Sequence, residues 1–428
     1  MTHPSLHNTV GEDVRFRLAA GSLPVILNPR PGFTRTFVVI GTNFGSVDQS
    51  FVDPLSGTCI EVPSGVAHFL EHRLFEDSEG DVSDRFTENG ASSNARTGFT
   101  STAYLFSCTS NLASNLELLL DFVQEPYFAP EGIAREQGII EQEIRMYEDD
   151  PDWRIFFNLL NALYHVHPVR SDIAGTVDSI HRITPEILEA CYRAFYHPSN
   201  MALAIAGAFD VEETLALVES NLARHARATG RPHVRPLHPE PDTVRSPEVS
   251  QSMVVSRPKI AIGFKEVATG GNGEDLERRD LLSHLAIDLA LGRSSAHHEA
   301  LYSEGLIDES FAASYTLEPG FGFSSISSDT NDPERLRRRV LDILRSVAEE
   351  GFSTDSFERL RRRCEGQYIR MFDALDSSAF AFLDSRFRGV SPFAALELLR
   401  GITLEEVEQR FREHFHPDRA AVSMVLPK

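Results

Sequence analysis

The sequence is poor in cysteine and tryptophan, with four and one respectively in 428 residues. Cys59, Cys108, Cys191 and Cys364 lie far apart with no CxxC pair, which fits four buried free thiols in a reducing compartment better than a disulfide framework. No apolar run approaches the roughly 20 residues of a membrane span. The polar stretch Met1 to Phe16, with Glu12 and Asp13, lacks both the apolar core of a signal peptide and an Arg-rich, acid-poor transit pattern. A cytoplasmic protein without membrane contact is the expectation. Positive charge is also scarce: 41 basic against 63 acidic residues give a formal net charge of −22. That balance opposes a sequence-independent hold on nucleic acid phosphates and leaves peptides as tolerated partners.

What is present is a chain able to bury a core, 41% hydrophobic and 24% charged. Val14 to Leu18, Leu23 to Leu27 and Thr36 to Thr42 are short apolar runs broken by turn residues, as in a sheet. From Pro63 to Phe75 the period becomes helical, with Ser64 as the N-cap and Val66, Phe69, Leu70 and Leu74 on one face. Residues 91–109 return to extended character. Helical periodicity follows over Leu112 to Gln124, Ile133 through Tyr164 and Val211 to Arg224, with a strand at Met201 to Ala208.

Five prolines between His225 and Ser250 read as a linker. The stretches on either side look related. Ile183 to Pro198 aligns with Ile402 to Pro417 at a shift of 219, with 7 of 16 pairs identical. Long-period duplication is the simplest account. The expected fold class is α+β, in two homologous half-domains, each an antiparallel sheet packed against helices. The expected divisions are 1–230, a linker at 231–250, and 251–428.

His68-Phe69-Leu70-Glu71-His72 is an inverted zinc-peptidase motif on the expected helix. Positions i and i+4 stack on one helix face, so both imidazoles can reach one cation. Two nitrogen donors, a carboxylate and an open fourth position make a catalytic type of zinc site. Glu71, beside His72, is placed to take a proton from a bound water. Glu136 and Glu143 stand seven residues apart, two turns along one face of a second helix. The plainer alternatives are an exposed histidine pair and a solvated acidic face.

HFLEH, Gly90-Ala91-Ser92-Ser93-Asn94-Ala95 and the Glu136 to Glu143 spacing resemble the pitrilysin family of inverzincins. That family includes insulin-degrading enzymes and the mitochondrial processing peptidase. The likeness is nearest to bacterial members that pair a zinc-bearing with a zinc-free subunit. The resemblance implies one zinc ion held by His68, His72 and Glu143, general-base chemistry by Glu71, and a supporting role for Glu136. It also implies that the strand of Asn94 and Ala95 pairs with the substrate backbone, a mode that gives affinity with little sequence demand.

The second half departs from the pattern. Tyr368 stands where Glu143 does in the repeat, and no HxxEH follows residue 250. Where relatives carry an arginine and a tyrosine that hold the substrate carbonyl, this chain has Leu301-Tyr302-Ser303-Glu304-Gly305-Leu306-Ile307-Asp308. The expectation is a zinc endopeptidase acting on extended peptides, completed by a homologous zinc-free subunit as a heterodimer, with homodimerisation as the competing arrangement. The rival reading is an inactive assembly subunit.

Overall fold

A computed structural model describes residues 11–20, 22–77, 80–225, 235–236, 238–271 and 273–428. The first half runs β1 (Arg15–Ala19), β2 (Leu23–Pro29), β3 (Thr36–Thr42), α1 (Val66–Leu74), β4 (Ala91–Thr97), β5 (Thr102–Cys108), α2 (Leu112–Gln124), α3 (Pro130–Asp149), α4 (Pro151–Leu163), α5 (Pro185–Phe195), β6 (Met201–Gly207) and α6 (Val211–Arg224). The second half runs β7 (Glu248–Met253), β8 (Lys259–Lys265), α7 (Gly273–Leu291), β9 (Ala312–Glu318), β10 (Phe321–Asp329), α8 (Pro333–Glu350), α9 (Thr354–Met371), α10 (Leu375–Arg388), α11 (Leu404–His414) and β11 (Ala420–Pro427).

The fold is α+β and is built twice. One sheet has the order β1-β2-β6-β3-β5-β4 and the other β7-β11-β8-β10-β9. Leaving out β1, the two match strand for strand, with a parallel pair first (β2 with β6, β7 with β11) and antiparallel pairs after it. Helix α11 follows α5 at the shift of 219 residues seen in the sequence (404 − 185). β1 and β4 are the edge strands of the first sheet, β7 and β9 those of the second.

The chain divides into two compact units that are not its linear halves. Unit 1 draws on residues 1–144, 172–236 and 369–387, and unit 2 on 145–171, 237–368 and 388–428. Uninterrupted stretches at 1–230 and 251–428 omit this exchange: α4 packs within unit 2, and most of α10 within unit 1. The cause is visible in the sheets. In unit 1 a Cβ on Gly41 of β3 would stand 2.8 Å from a methyl of Leu383 on α10. In unit 2 a Cβ on Gly263 of β8 would stand 2.8 Å from a methyl of Leu159 on α4. Gly41 pairs with Ala202 and Gly263 with Ala421, so the two glycines hold equivalent positions. Each strand leaves a gap that a fully buried leucine from the other half of the sequence fills.

The expected single helical run from Ile133 to Tyr164 is two helices. Pro151 has no N–H to give the ladder and opens α4 instead, while Asp150 Oδ1 accepts from the amides of Asp152 and Trp153 at 2.9 and 3.4 Å. The thiols also differ from expectation. All four are free, but Cys59 is exposed and Cys364 half-buried.

Of the expected linker, residues 231–234 and 237 lie outside the described residues. The rest is bound on both sides. In unit 1, Arg235 forks onto Asp48 at 2.8 and 3.0 Å. In unit 2, the Glu240 carboxylate accepts from the backbone amides of His165, Val166 and His167 at 2.7–2.9 Å and from Lys265 Nζ at 2.6 Å. Lys265 is fully buried and also donates to the carbonyls of Pro241 and Thr243, both at 2.8 Å. The chain has three lysines against 38 arginines. Three acceptors arranged around one point suit an ammonium rather than a planar guanidinium.

Candidate metal centre

The site lies within unit 1 and begins at the entry to α1. Gly65, not Ser64, caps this helix, at φ +89° and with no side-chain cap. A Cβ there would come within 2.5 Å of the Ala174 carbonyl oxygen, and one on Gly175 (φ +80°) equally close to the Ser64 carbonyl oxygen. Two glycines back to back therefore fix where the helix starts. Val66, Phe69, Leu70 and Leu74 are buried behind it. That leaves His68 and His72 side by side on another face, with ring centroids 4.5 Å apart.

Helix α3 brings both acids to this pair. Glu143 Oε2 lies 3.7 Å from His68 Nε2 and 3.7 Å from His72 Nε2. One donor atom from each of the three residues falls within 4.8 Å of the other two, the one such group among the described residues. Tetrahedral zinc with ligands at about 2.0–2.1 Å holds neighbouring donors about 3.4 Å apart, so the set fits that ion with a small closure. Glu136 Oε1 meets His72 Nδ1 at 2.9 Å. A hydrogen on Nδ1 leaves the Nε2 lone pair free toward Glu143.

The electrostatics follow from burial. His68 is pushed down to about 4, first by burial and then by the neighbouring His72, which favours the neutral imidazole that ligation needs. Burial also works against charge on His72, but the Glu136 hydrogen bond and charge outweigh it and raise the group. Burial raises the Glu71 carboxyl.

All five residues expected from sequence in the metal centre meet here. Asn94 and Ala95 are on edge strand β4 and line a cavity of about 580 Å³ together with Glu71, His72 and Glu136. Two residues were missed. Thr97, the last residue of β4, donates its hydroxyl to Glu71 Oε2. Its signal was strand alternation, which sets Thr97 on the same face as Ala95. Arg73 is fully buried, donating to Glu76 and to the Tyr127 carbonyl, with Nη1 3.8 Å from Glu136 Oε2. A charged residue inside an apolar helical pattern was its only trace. Arg96, whose side was open in the sequence, is exposed, lies 3.7 Å over the Phe380 ring and pairs with Asp384 on α10, within unit 1.

A family model described as Insulinase (Peptidase family M16) matches residues 57–177, and one described as Peptidase M16 inactive domain matches residues 182–364. The chain belongs to peptidase family M16. This M16 chain is 40% identical over 429 residues to a protein of Bacillus subtilis named uncharacterized zinc protease YmfH, covering 100% of both. It is similar to the crystal structure of a putative M16-like peptidase from Alicyclobacillus acidocaldarius, at 38% identity and a TM-score of 0.93, over 99% of this chain and 100% of that one. Pitrilysin shares the fold at 17% identity and a TM-score of 0.77, with this chain covering 46% of its length. No helix among the described residues of this M16 chain is long and apolar enough to cross a membrane.

Proposed function

We propose that the chain is a zinc-dependent endopeptidase that hydrolyses extended peptides or unstructured polypeptide segments. The observation that carries the reading is the convergence of His68, His72 and Glu143 within 4.8 Å, with Glu71 beside them. His68, His72 and Glu143 hold the ion. Zinc bound there would polarise the scissile carbonyl and make its water acidic near neutrality. Glu71 takes the proton from the attacking water and passes it to the leaving amine. Glu136 fixes the His72 ring through Nδ1. Strand β4, with Asn94 and Ala95, is a free edge on which an extended peptide adds as a further strand. The free thiols suit a reducing cytoplasm.

The test is zinc content together with peptide cleavage for the native chain and Glu71→Gln. The variant keeps the metal and loses turnover. Metal bound without any cleavage, even with a homologous partner present, would overturn the reading.

A homologous zinc-free subunit completes the site, because Leu301–Asp308 has Tyr302 and Asp308 where relatives have the arginine and the tyrosine. Losing such donors costs ~100-fold or more in rate. Cleavage by the lone chain that a purified zinc-free partner leaves unchanged would refute this pairing. The assembly-subunit reading gains support if neither the lone chain nor the pair cleaves.

A further inference from the structure

We infer that Thr97 is the positioning residue for Glu71 and that it assigns separate tasks to the two carboxylate oxygens. The inference rests on the endopeptidase reading above. Glu71 is 9% exposed and projects from α1, while Thr97 ends β4, the strand whose Ala95 lines the same cavity.

The Thr97 hydroxyl has one proton and two acceptors in reach: Glu71 Oε2, and Thr102 Oγ1 at 3.4 Å. Thr102 is fully buried and spends its own proton on the Phe44 carbonyl at 2.9 Å, so it does not compete for the carboxylate as a donor. The charged and nearer acceptor takes the Thr97 proton. Thr97 and Thr102 are also register partners across β4 and β5, which fixes the hydroxyl by the sheet rather than by a mobile loop.

Oε2 thereby carries a hydrogen bond that lowers its basicity, which leaves Oε1 the more basic oxygen and the one that exchanges protons. In the reaction a water O–H bond breaks as an O–H bond forms on Oε1, while the water oxygen bonds to the carbonyl carbon. The same proton moves to the nitrogen as the C–N bond breaks, and Glu71 returns as a carboxylate. Thr97 holds the carboxyl plane throughout. Because it sits two residues beyond Ala95 on the proposed peptide-pairing edge, one strand sets both the peptide and the base. Misplacement of a reacting group by about 1 Å can cost 10²-fold.

The experiment compares Thr97→Val with Thr97→Ser in the full chain, with its partner if one is needed. Thr97→Val keeps zinc stoichiometry and melting temperature, drops kcat about 10- to 100-fold and leaves KM within about twofold. Thr97→Ser, which keeps the hydroxyl, recovers kcat to within about threefold. Crystal structures supply a readout independent of turnover: the Glu71 carboxylate keeps its place in Thr97→Ser and leaves it in Thr97→Val. A kcat for Thr97→Val within twofold of the native value, an unmoved Glu71, or equal losses in both variants overturns the inference while the endopeptidase reading stands. A zinc-loaded native chain that cleaves nothing, alone or paired, takes both down.

Discussion

The contact between Glu136 and His72 gives the sharpest test of how the proposed metal centre is held. Replacing Glu136 by Ala removes a 2.9 Å acceptor from His72 Nδ1 and a buried negative charge 3.8 Å from Arg73. The ring is then free to turn, and its Nδ1–H has no partner inside the site. Partners of ligating histidines are typically worth 10- to 100-fold in metal affinity, or about 1.4–2.8 kcal/mol. Glu136→Gln keeps an amide oxygen that can accept from Nδ1–H and loses only the charge, so its loss falls at or below the lower bound. The assay is zinc competition against a chelator of known affinity, with His72→Ala as the reference for losing a ligand outright. An Ala variant that binds zinc within twofold of native would refute the view that Glu136 orients His72.

Three further outcomes follow from the scaffold. Glu240 has its carboxyl held down at about 2: burial works against it, but Lys265 and three backbone amides more than compensate. The folded value lies below the ordinary 4.5, so this stabilisation is full above about pH 4.5 and is lost as pH falls through about 2. Acid titration of stability should therefore flatten in Glu240→Gln, which also loses about 2 kcal/mol after allowing for solvent screening. Leu159→Ala and Leu383→Ala, each emptying a glycine-bounded gap, should cost about 2–5 kcal/mol by denaturant titration, and a cost under 1 would contradict the packing described. Residues 1–236 and 237–428 expressed apart should each lack a cooperative unfolding transition, and co-expression should restore one; a stable isolated half would contradict the exchange.

The sequence carried the site further than it carried the scaffold. An i, i+4 histidine pair and two acids two turns apart are local patterns, and local geometry alone put each pair on one helix face. The repeat was legible for the same reason, since Ile183 to Pro198 and Ile402 to Pro417 are matched stretches. The exchange of α4 and α10 was not, because which sheet a helix covers depends on gaps such as Gly41 and Gly263 that carry no periodic signal. Gly65 displaced Ser64 at the start of α1 because a long-range approach to Ala174, invisible in the neighbouring residues, required a positive φ. Thr97 and Arg73 escaped notice because a hydroxyl and a buried guanidinium acquire meaning only from the side chains placed across from them.

The reciprocal leucine and glycine fit also sets a timetable on the ribosome. Unit 1 needs Leu383, so the 147 residues from 237 to 383 must be made before the hollow at Gly41 can be filled. At 5–20 residues per second that is a wait of roughly 7–30 s. During that interval the nascent unit 1 presents an unfilled apolar strand surface, the kind of species that chaperones shield.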